Sequence, residues 1–158
     1  MKRQYTKEEM LVKMAGLCAK SEQCEADIIK KLQAKQLSGR DIDWVLHELR
    51  ERKFVDNARF AAAYARDKVR FSSWGRLKIR AGLISKRILG TALKDALDSI
   101  DQADYEAAVA RAAKAKAAHL DISTKEDRIK LYRHLLSRGF ESPSAVAIIR
   151  KLVNEQAD

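Results

Sequence analysis

Apolar residues recur along this chain at helical spacing, and the pattern itself repeats. Leu32, Leu83 and Leu135 are its anchors, 51 and 52 residues apart. Four residues before each anchor stand Ile28, Ile79 and Leu131; five after stand Leu37, Ile88 and Phe140; ten after stand Ile42, Leu93 and Ala145. The triples Val45, Ala96, Ile148, then Leu46, Leu97, Ile149, then Leu49, Ile100, Leu152 continue the match. Within a copy, positions 42, 45, 46 and 49 have i, i+3, i+4, i+7 spacing, a single apolar stripe on one helix. Agreement at every offset identifies three copies of one unit.

The polar punctuation fits the same register. Thr6 with Glu9 forms a capping box for the first helix. Ser21, Ser72 and Thr124 occupy equivalent places and are expected to N-cap the second helix of each unit. Gly39, Gly90 and Ser142 open the third, with Pro143 in its first turn, and Gly139 suits the position just past a helix end. The pattern predicts helices over 7–19, 22–36 and 40–52, then 57–70, 73–86 and 91–100, then 104–118, 125–138 and 143–156. No stretch alternates like a strand, and no linker is rich in Gly, Ser or Pro. The expected fold is all-α: three tandem three-helix repeats, at 1–54, 55–102 and 103–158, forming an elongated, curved helical array in which neighbouring units lean on each other. The helix EAAVARAAKAKAAH near the start of the third unit is almost all alanine on its apolar side, which suits either an exposed strut or a close-packed surface.

Composition narrows the function. With 158 residues, 46% hydrophobic and 34% charged, one Pro and six Gly, the chain is helix-forming. No apolar run is long enough for a membrane span and the basic start MKRQYTKEEM has no apolar segment of a secretory signal, so a cytoplasmic protein with no membrane partner is expected. Cys18 and Cys24 form no C-x-x-C pair and are expected to be buried, reduced thiols rather than a metal site or disulfide. Phosphate-binding loops, zinc-protease and nucleophile-elbow motifs are absent, and His47, His119 and His134 fall at unrelated repeat positions. The expectation is a non-enzymatic, monomeric protein without metal or cofactor.

The net charge of +10 favours a polyanionic partner: DNA, RNA or an acidic protein surface. Residues 56–103 carry +5, against +3 before and +2 after. Within that middle stretch, Arg66, Lys68, Arg70, Arg76, Lys78, Arg80, Lys86 and Arg87 have only Asp67 as an acid among them. Arg76, Arg80 and Arg87 share spacings of four and seven and line one helical face. Position 80 is Arg where its sister units have Ile29 and Tyr132, and position 76 is Arg where the first has Glu25. Such a face suits phosphate oxygens or carboxylates through forked, charge-assisted bonds. Trp74 either stacks on a partner or packs against Phe71 and Leu77, and Trp44 belongs to the core of the first unit. The candidate binding residues are therefore these eight cations and Trp74.

The block Phe54-Val55-Asp56-Asn57-Ala58-Arg59-Phe60-Ala61, the run Trp74-Gly75-Arg76-Leu77-Lys78-Ile79, the pair Leu83 and Ile88, and the upstream Lys20-Ser21-Glu22-Gln23-Cys24-Glu25-Ala26-Asp27-Ile28 together resemble the RecX family of bacterial recombination regulators. The resemblance spans roughly residues 10–155 and includes the three-repeat plan. Asn57 stands where the family often has Asp, Ser73 takes the place of a second small residue with Trp74 intervening, and Arg87 replaces a frequent Gly. The resemblance implies an all-helical curved protein that binds the RecA recombinase filament and inhibits or tunes its strand exchange, ATP hydrolysis and co-protease activity. That would place it in DNA repair, recombination and the SOS response, with direct contact to single- or double-stranded DNA in some members. The alternative reading is a tandem three-helix protein acting directly on DNA through the third helix of a unit. GTALKDALDSI, the third helix of the middle unit, argues against it, since Lys94 is its one cation beside Asp95 and Asp98.

Overall fold

Local capping starts the first helix and the repeat pattern carries the rest. Thr6 Oγ1 accepts from the Glu9 N–H (3.1 Å), satisfying one orphan donor of α1 (Lys7–Lys20), while the Glu9 carboxylate turns to Arg3 instead of closing the box. The computed structural model describes residues 3–158. α1 is followed by α2 (Glu25–Ala34), α3 (Gly39–Glu51), α4 (Asn57–Ser72), α5 (Arg76–Ser85), α6 (Gly90–Asp98), α7 (Gln102–Ala117), α8 (Lys125–Ser137) and α9 (Ser142–Ala157). Among the described residues there is no strand. The helices group as three successive triplets, and the fold is the expected all-helical tandem repeat.

The second helix of every triplet closes in the same way. Leu37, Ile88 and Phe140 donate their N–H to the carbonyls of Leu32, Leu83 and Leu135 at 3.3, 3.0 and 3.2 Å. The residue before each donor is left-handed: Gln36 at φ 61°, Arg87 at 59° and Gly139 at 93°. These are three copies of one helix-terminating motif, and they confirm the register set by the leucine anchors. Arg87 therefore closes its helix as the glycine does, at the steric cost that a Cβ meets in this region.

The starts of these helices differ from expectation. Thr124 caps α8 through its side chain, accepting from Asp127 N–H at 3.3 Å. Ser21 instead terminates α1 and Ser72 is the last residue of α4, so α2 and α5 begin three residues later than predicted. Their N-caps, Cys24 and Gly75, supply no side-chain bond. The first amide of each helix is capped from the following triplet: Glu25 N–H donates to Asn57 Oδ1 (3.0 Å) and Arg76 N–H to the Tyr105 hydroxyl (3.1 Å). Glu25 and Arg76 are repeat-equivalent, so the device occurs twice.

Two cores result. Met10, Met14, Ile28, Leu32, Val45 and Leu49 enclose the first within triplet one. The second spans triplets two and three without a break, joining Ala65, Ile79 and Leu83 to Tyr105, Leu131, Leu135 and Phe140. Each fully buried leucine or isoleucine of these stripes contributes roughly 2 kcal/mol. The alanine-rich α7 is a close-packing surface: Ala108, Ala112 and Ala113 are buried against the second core. Trp44 is half-buried against the first core under the Lys7 ammonium, 4.7 Å from its ring centre. Cys24 is fully buried, but at the joint between the first two triplets rather than within its own unit's stripe; Cys18 is half-buried, and both are free thiols.

Triplets two and three meet backbone to backbone. Gly75 N–H donates to the Arg138 carbonyl (2.8 Å) and Leu77 N–H to the Gly139 carbonyl (3.0 Å). A Cβ on Gly75 would land on the Gly139 carbonyl and the Phe140 nitrogen. Gly75→Ala is therefore expected to cost ~3 kcal/mol or more, because neither backbone has a flexible end that can yield. Gly16→Ala, mid-helix with open space around it, should instead stabilise by about 0.5–1 kcal/mol. Thermal melts of the two variants should move in opposite directions.

Candidate functional site

The cations of the middle triplet sort by what they touch. Three of the eight candidate cations hold joints. Arg76 lies with its guanidinium carbon 3.9 Å from the centre of the Tyr105 ring and its Nη1 3.9 Å from Glu141 Oε1. Arg70 is paired with Asp104 at 2.7 Å, which also ties α4 to α7. Lys86 reaches back to the first triplet, where its Nζ meets Asp27 Oδ2 at 2.7 Å. Burial works against ionisation of Asp27, but hydrogen bonds from Lys86 and the Cys24 thiol hold its carboxyl below the ordinary range; the same bond raises Lys86.

A second group builds a cluster around Trp74. The indole packs edge-on to Tyr64, centroids 6.4 Å apart at 73°, and the Tyr64 hydroxyl lies against Gly82, where a Cβ would collide with it. Lys68 and Lys78 place their ammoniums 4.6 and 4.5 Å from the Trp74 ring centre. Trp74 is thus half-buried and covered by two cations. Phe71 and Leu77, its expected neighbours, are 83% and 56% exposed, because the left-handed turn at Ser73 (φ 51°) swings the indole back over α4.

The last group is open to solvent. Among the described residues Arg66 has one ion-pair partner, its neighbour Asp67 (3.2 Å), an exposed contact worth little. Arg80 and Arg87 are exposed, and among the described residues neither has an ion-pair partner. Arg80 lies between Leu77 and Ile84, both partly exposed, on the outer side of α5. Cations and apolar side chains alternate there, a surface that can meet carboxylates and bury area together.

Sequence reasoning missed the residues that make the joints. Asn57 accepts from the Glu25 amide and donates through Nδ2 to Glu25 Oε2 (3.1 Å), and Arg50 binds the other oxygen. Arg59 meets Glu22 at 2.6 Å at the same joint. Tyr105 donates to Glu141 Oε2 (2.7 Å) while accepting from Arg76, and its ring packs edge-on to Phe140. Arg111 donates to the Val69 and Arg70 carbonyls (3.0 and 3.1 Å), and Arg138 to that of Ser72, so two arginines of the third triplet satisfy the C-terminal end of α4. Two sequence signals pointed here: the mismatch at equivalent positions, Glu25 against Arg76, and Asn57 where the family it resembles often has Asp.

The arrangement defines a tandem three-helix-repeat protein, with the candidate cations divided between inner joints and solvent-exposed positions: Arg66 on α4 beside Arg70 and Asp104, Arg80 on α5, and Arg87 in the turn after it. A family model described as the second three-helix domain of RecX matches residues 56–97. The Regulatory protein RecX of Pelodictyon phaeoclathratiforme is 31% identical over 148 residues, 93% of this chain and 89% of that protein. That of Chlorobium phaeobacteroides is 30% identical over 128 residues, 81% and 83%. This chain belongs to the RecX family. Its Clostridium tetani relative, also a Regulatory protein RecX, is 28% identical over 138 residues, and the chain spans 62% of its length and 65% of a Clostridium perfringens relative. Two crystal structures share the fold: one of a regulatory protein RecX, with TM-score 0.78 at 23% identity, covering 90% of this chain and 72% of that one, and one of RecX from Lactobacillus salivarius, with TM-score 0.76 at 18% identity, covering 92% and 96%. Among the described residues no helix is long and apolar enough to cross a membrane.

Two substitutions test the joints. Asn57→Asp keeps the acceptor for the Glu25 amide but sets a carboxylate against Glu25 and removes the Nδ2 donor; it should cost ~1–3 kcal/mol in a denaturant titration at pH 7. Burial and its bond to Glu141 push the Tyr105 phenol up to about 12 from 10.0. A raised acid is held neutral by the fold, so this contact contributes fully below pH 10 and is lost as pH rises through about 12. The melting-temperature advantage over Tyr105→Phe should therefore be constant to pH 10 and shrink above it.

Proposed function

We propose that this chain is a regulatory protein that binds the RecA recombinase filament and inhibits its DNA-dependent ATPase, strand exchange and co-protease activity, without chemistry of its own. Membership of a family of regulatory proteins supports the regulatory part. The observation that carries the binding site is the solvent-exposed surface of the middle triplet, where among the described residues Arg80 and Arg87 have no ion-pair partner, Arg66 pairs with its neighbour Asp67 alone, and Leu77, Ile84 and Phe71 stand exposed. Lys68, Lys78 and Trp74 extend this face, and Arg70, Arg76 and Lys86 position it from the joints. The units are taken as residues 1–54, 55–102 and 103–158, with the middle one as the contact module.

Direct DNA binding is the second reading. The Tyr64–Trp74 pair with Lys68 and Lys78, beside exposed Phe71, supports it as a mixed aromatic and basic surface suited to a single strand. Groove reading by α6 is disfavoured, since Lys94 is its one cation beside Asp95 and Asp98.

The deciding measurement is RecA ATPase on single-stranded DNA, titrated with this protein, with DNA binding alone followed across salt concentrations. Inhibition at stoichiometric protein is expected. No effect sinks the proposal, and tight DNA binding whose affinity falls steeply with salt favours the second reading. Arg66→Glu with Arg80→Glu should weaken inhibition about tenfold or more without loss of helicity. Arg76→Glu is a poorer probe because it also breaks a joint. Arg87→Gly separates the two effects: relief of the left-handed backbone should raise stability by about 0.5–1 kcal/mol while inhibition weakens.

A further inference from the structure

The third triplet carries a groove that the proposed function leaves unused. It runs between α8 and α9, with a volume of about 490 Å3. Ile129, Tyr132, Val146 and Ile149 form its floor, and Ile129 and Val146 remain 40% and 38% exposed. Lys125, Arg128 and Arg150 form the rim, and no carboxylate lines it among the described residues. Arg128 is fixed in place by donating to the Ile122 and Ser123 carbonyls at 3.0 Å each.

Repeat equivalence shows that this groove is particular to the third triplet. In the first, Glu22 and Glu25 stand at the places of Lys125 and Arg128, and Asp43 at that of Val146. Arg50, at the place of Val153, binds Glu25 and bridges α2 to α3. In the middle triplet, Arg76 at the place of Arg128 is stacked on Tyr105 and paired with Glu141, and Lys94 at the place of Val146 is paired with Asp98. Where its sisters carry ion pairs, within the triplet or across a joint, the third triplet has open apolar side chains between cations that have no ion-pair partner among the described residues.

We propose that the α8/α9 groove is a docking site for an acidic amphipathic helix of a partner protein. Apolar residues at i, i+3, i+4 and i+7 of that helix fill the floor. Carboxylates on its flanks meet Lys125, Arg128 and Arg150. Charge complementarity selects this occupant over a second copy, because two chains of net charge +10 repel. The floor is mainly aliphatic, with Tyr132 as one aromatic ring among Ile129, Val146, Ile149 and Val153, which favours an apolar helix face over nucleic acid, whose outer surface is phosphate and sugar. The site is separate from the α4/α5 face, so it stands whichever partner that face meets.

The test uses the full chain and a fluorescein-labelled synthetic helix of Leu and Glu with that spacing, read by fluorescence anisotropy. Wild type is expected to bind it, and to ignore the same peptide with Lys in place of Glu. Ile129→Ala with Val146→Ala leaves the net charge unchanged and should weaken binding about tenfold or more. That loss separates groove docking from long-range attraction. Lys125→Glu with Arg150→Glu, both at exposed positions, should weaken binding at least as much and decides alone if the apolar variant fails to fold by circular dichroism. No binding to wild type, or equal binding by the groove variants, overturns the proposal. So does a labelled oligothymidine whose binding depends on Ile129 and Val146, or a concentration-dependent dimer in sedimentation that these variants abolish.

Discussion

The structure depends on satisfying the N-terminal amides of α2 and α5 from outside their own triplet. A helix start with no side-chain cap leaves donors that are costly to bury. Cys24 and Gly75 at the two N-caps bring no oxygen, and Asn57 and Tyr105 supply it across the joint. Each triplet is therefore incomplete until the next has packed against it. α8 is different: Thr124 caps it directly, so the third triplet closes its own helix. The repeat thus couples its units through obligatory hydrogen bonds as well as through apolar area, and this fixes where one triplet sits on another.

The two joints answer the same need with opposite chemistry. Between triplets one and two the contacts are mostly polar: Asn57 and Glu25, Arg59 and Glu22, Lys86 and Asp27, with Cys24 as the apolar plug and Arg50 holding Glu25 from within its own triplet. Partly exposed pairs of this kind contribute little each and are screened by salt. Between triplets two and three the glycine contact brings backbones together, Tyr105 and Phe140 are buried, and one core runs through both. The last six helices behave as one body, with the first triplet held to it by polar bonds.

Much of the fold was legible because helix periodicity and the repeat enforced each other. The leucine anchors gave the register, and the shared closing turns at Gln36, Arg87 and Gly139 have the spacing of those anchors. What local patterns could not reveal was long-range. Ser21 and Ser72 looked like caps because they stand in the right place relative to Thr124, yet the oxygens that do the capping come from 32 and 29 residues away. The candidate site was half legible for the same reason. One-signed charge in the middle unit was visible, but whether a given cation faces solvent or a carboxylate in the next triplet is a property of the joint. Arg70, Arg76 and Lys86 were indistinguishable by sequence from Arg66, Arg80 and Arg87. Trp74 was misplaced because the left-handed Ser73 that redirects it carries no local signature.

Division of labour among the cations explains how a repeat can bind as a surface without moving its parts. A cation that pairs across a joint is desolvated once, on folding, and is then unavailable to a partner. One on the outer face stays hydrated and exchanges its water for a partner's oxygens at modest cost. Arg76 and Arg80 lie one helical turn apart on α5 and fall on opposite sides of this line, Arg76 under Tyr105 and Glu141, Arg80 in solvent between Leu77 and Ile84. The inner arginine fixes the axis of α5 against the third triplet, and that in turn fixes where the outer one points. Because the α8/α9 groove belongs to the same continuous core, it is held at a set distance from the α5 face, so contacts made at one surface position the other.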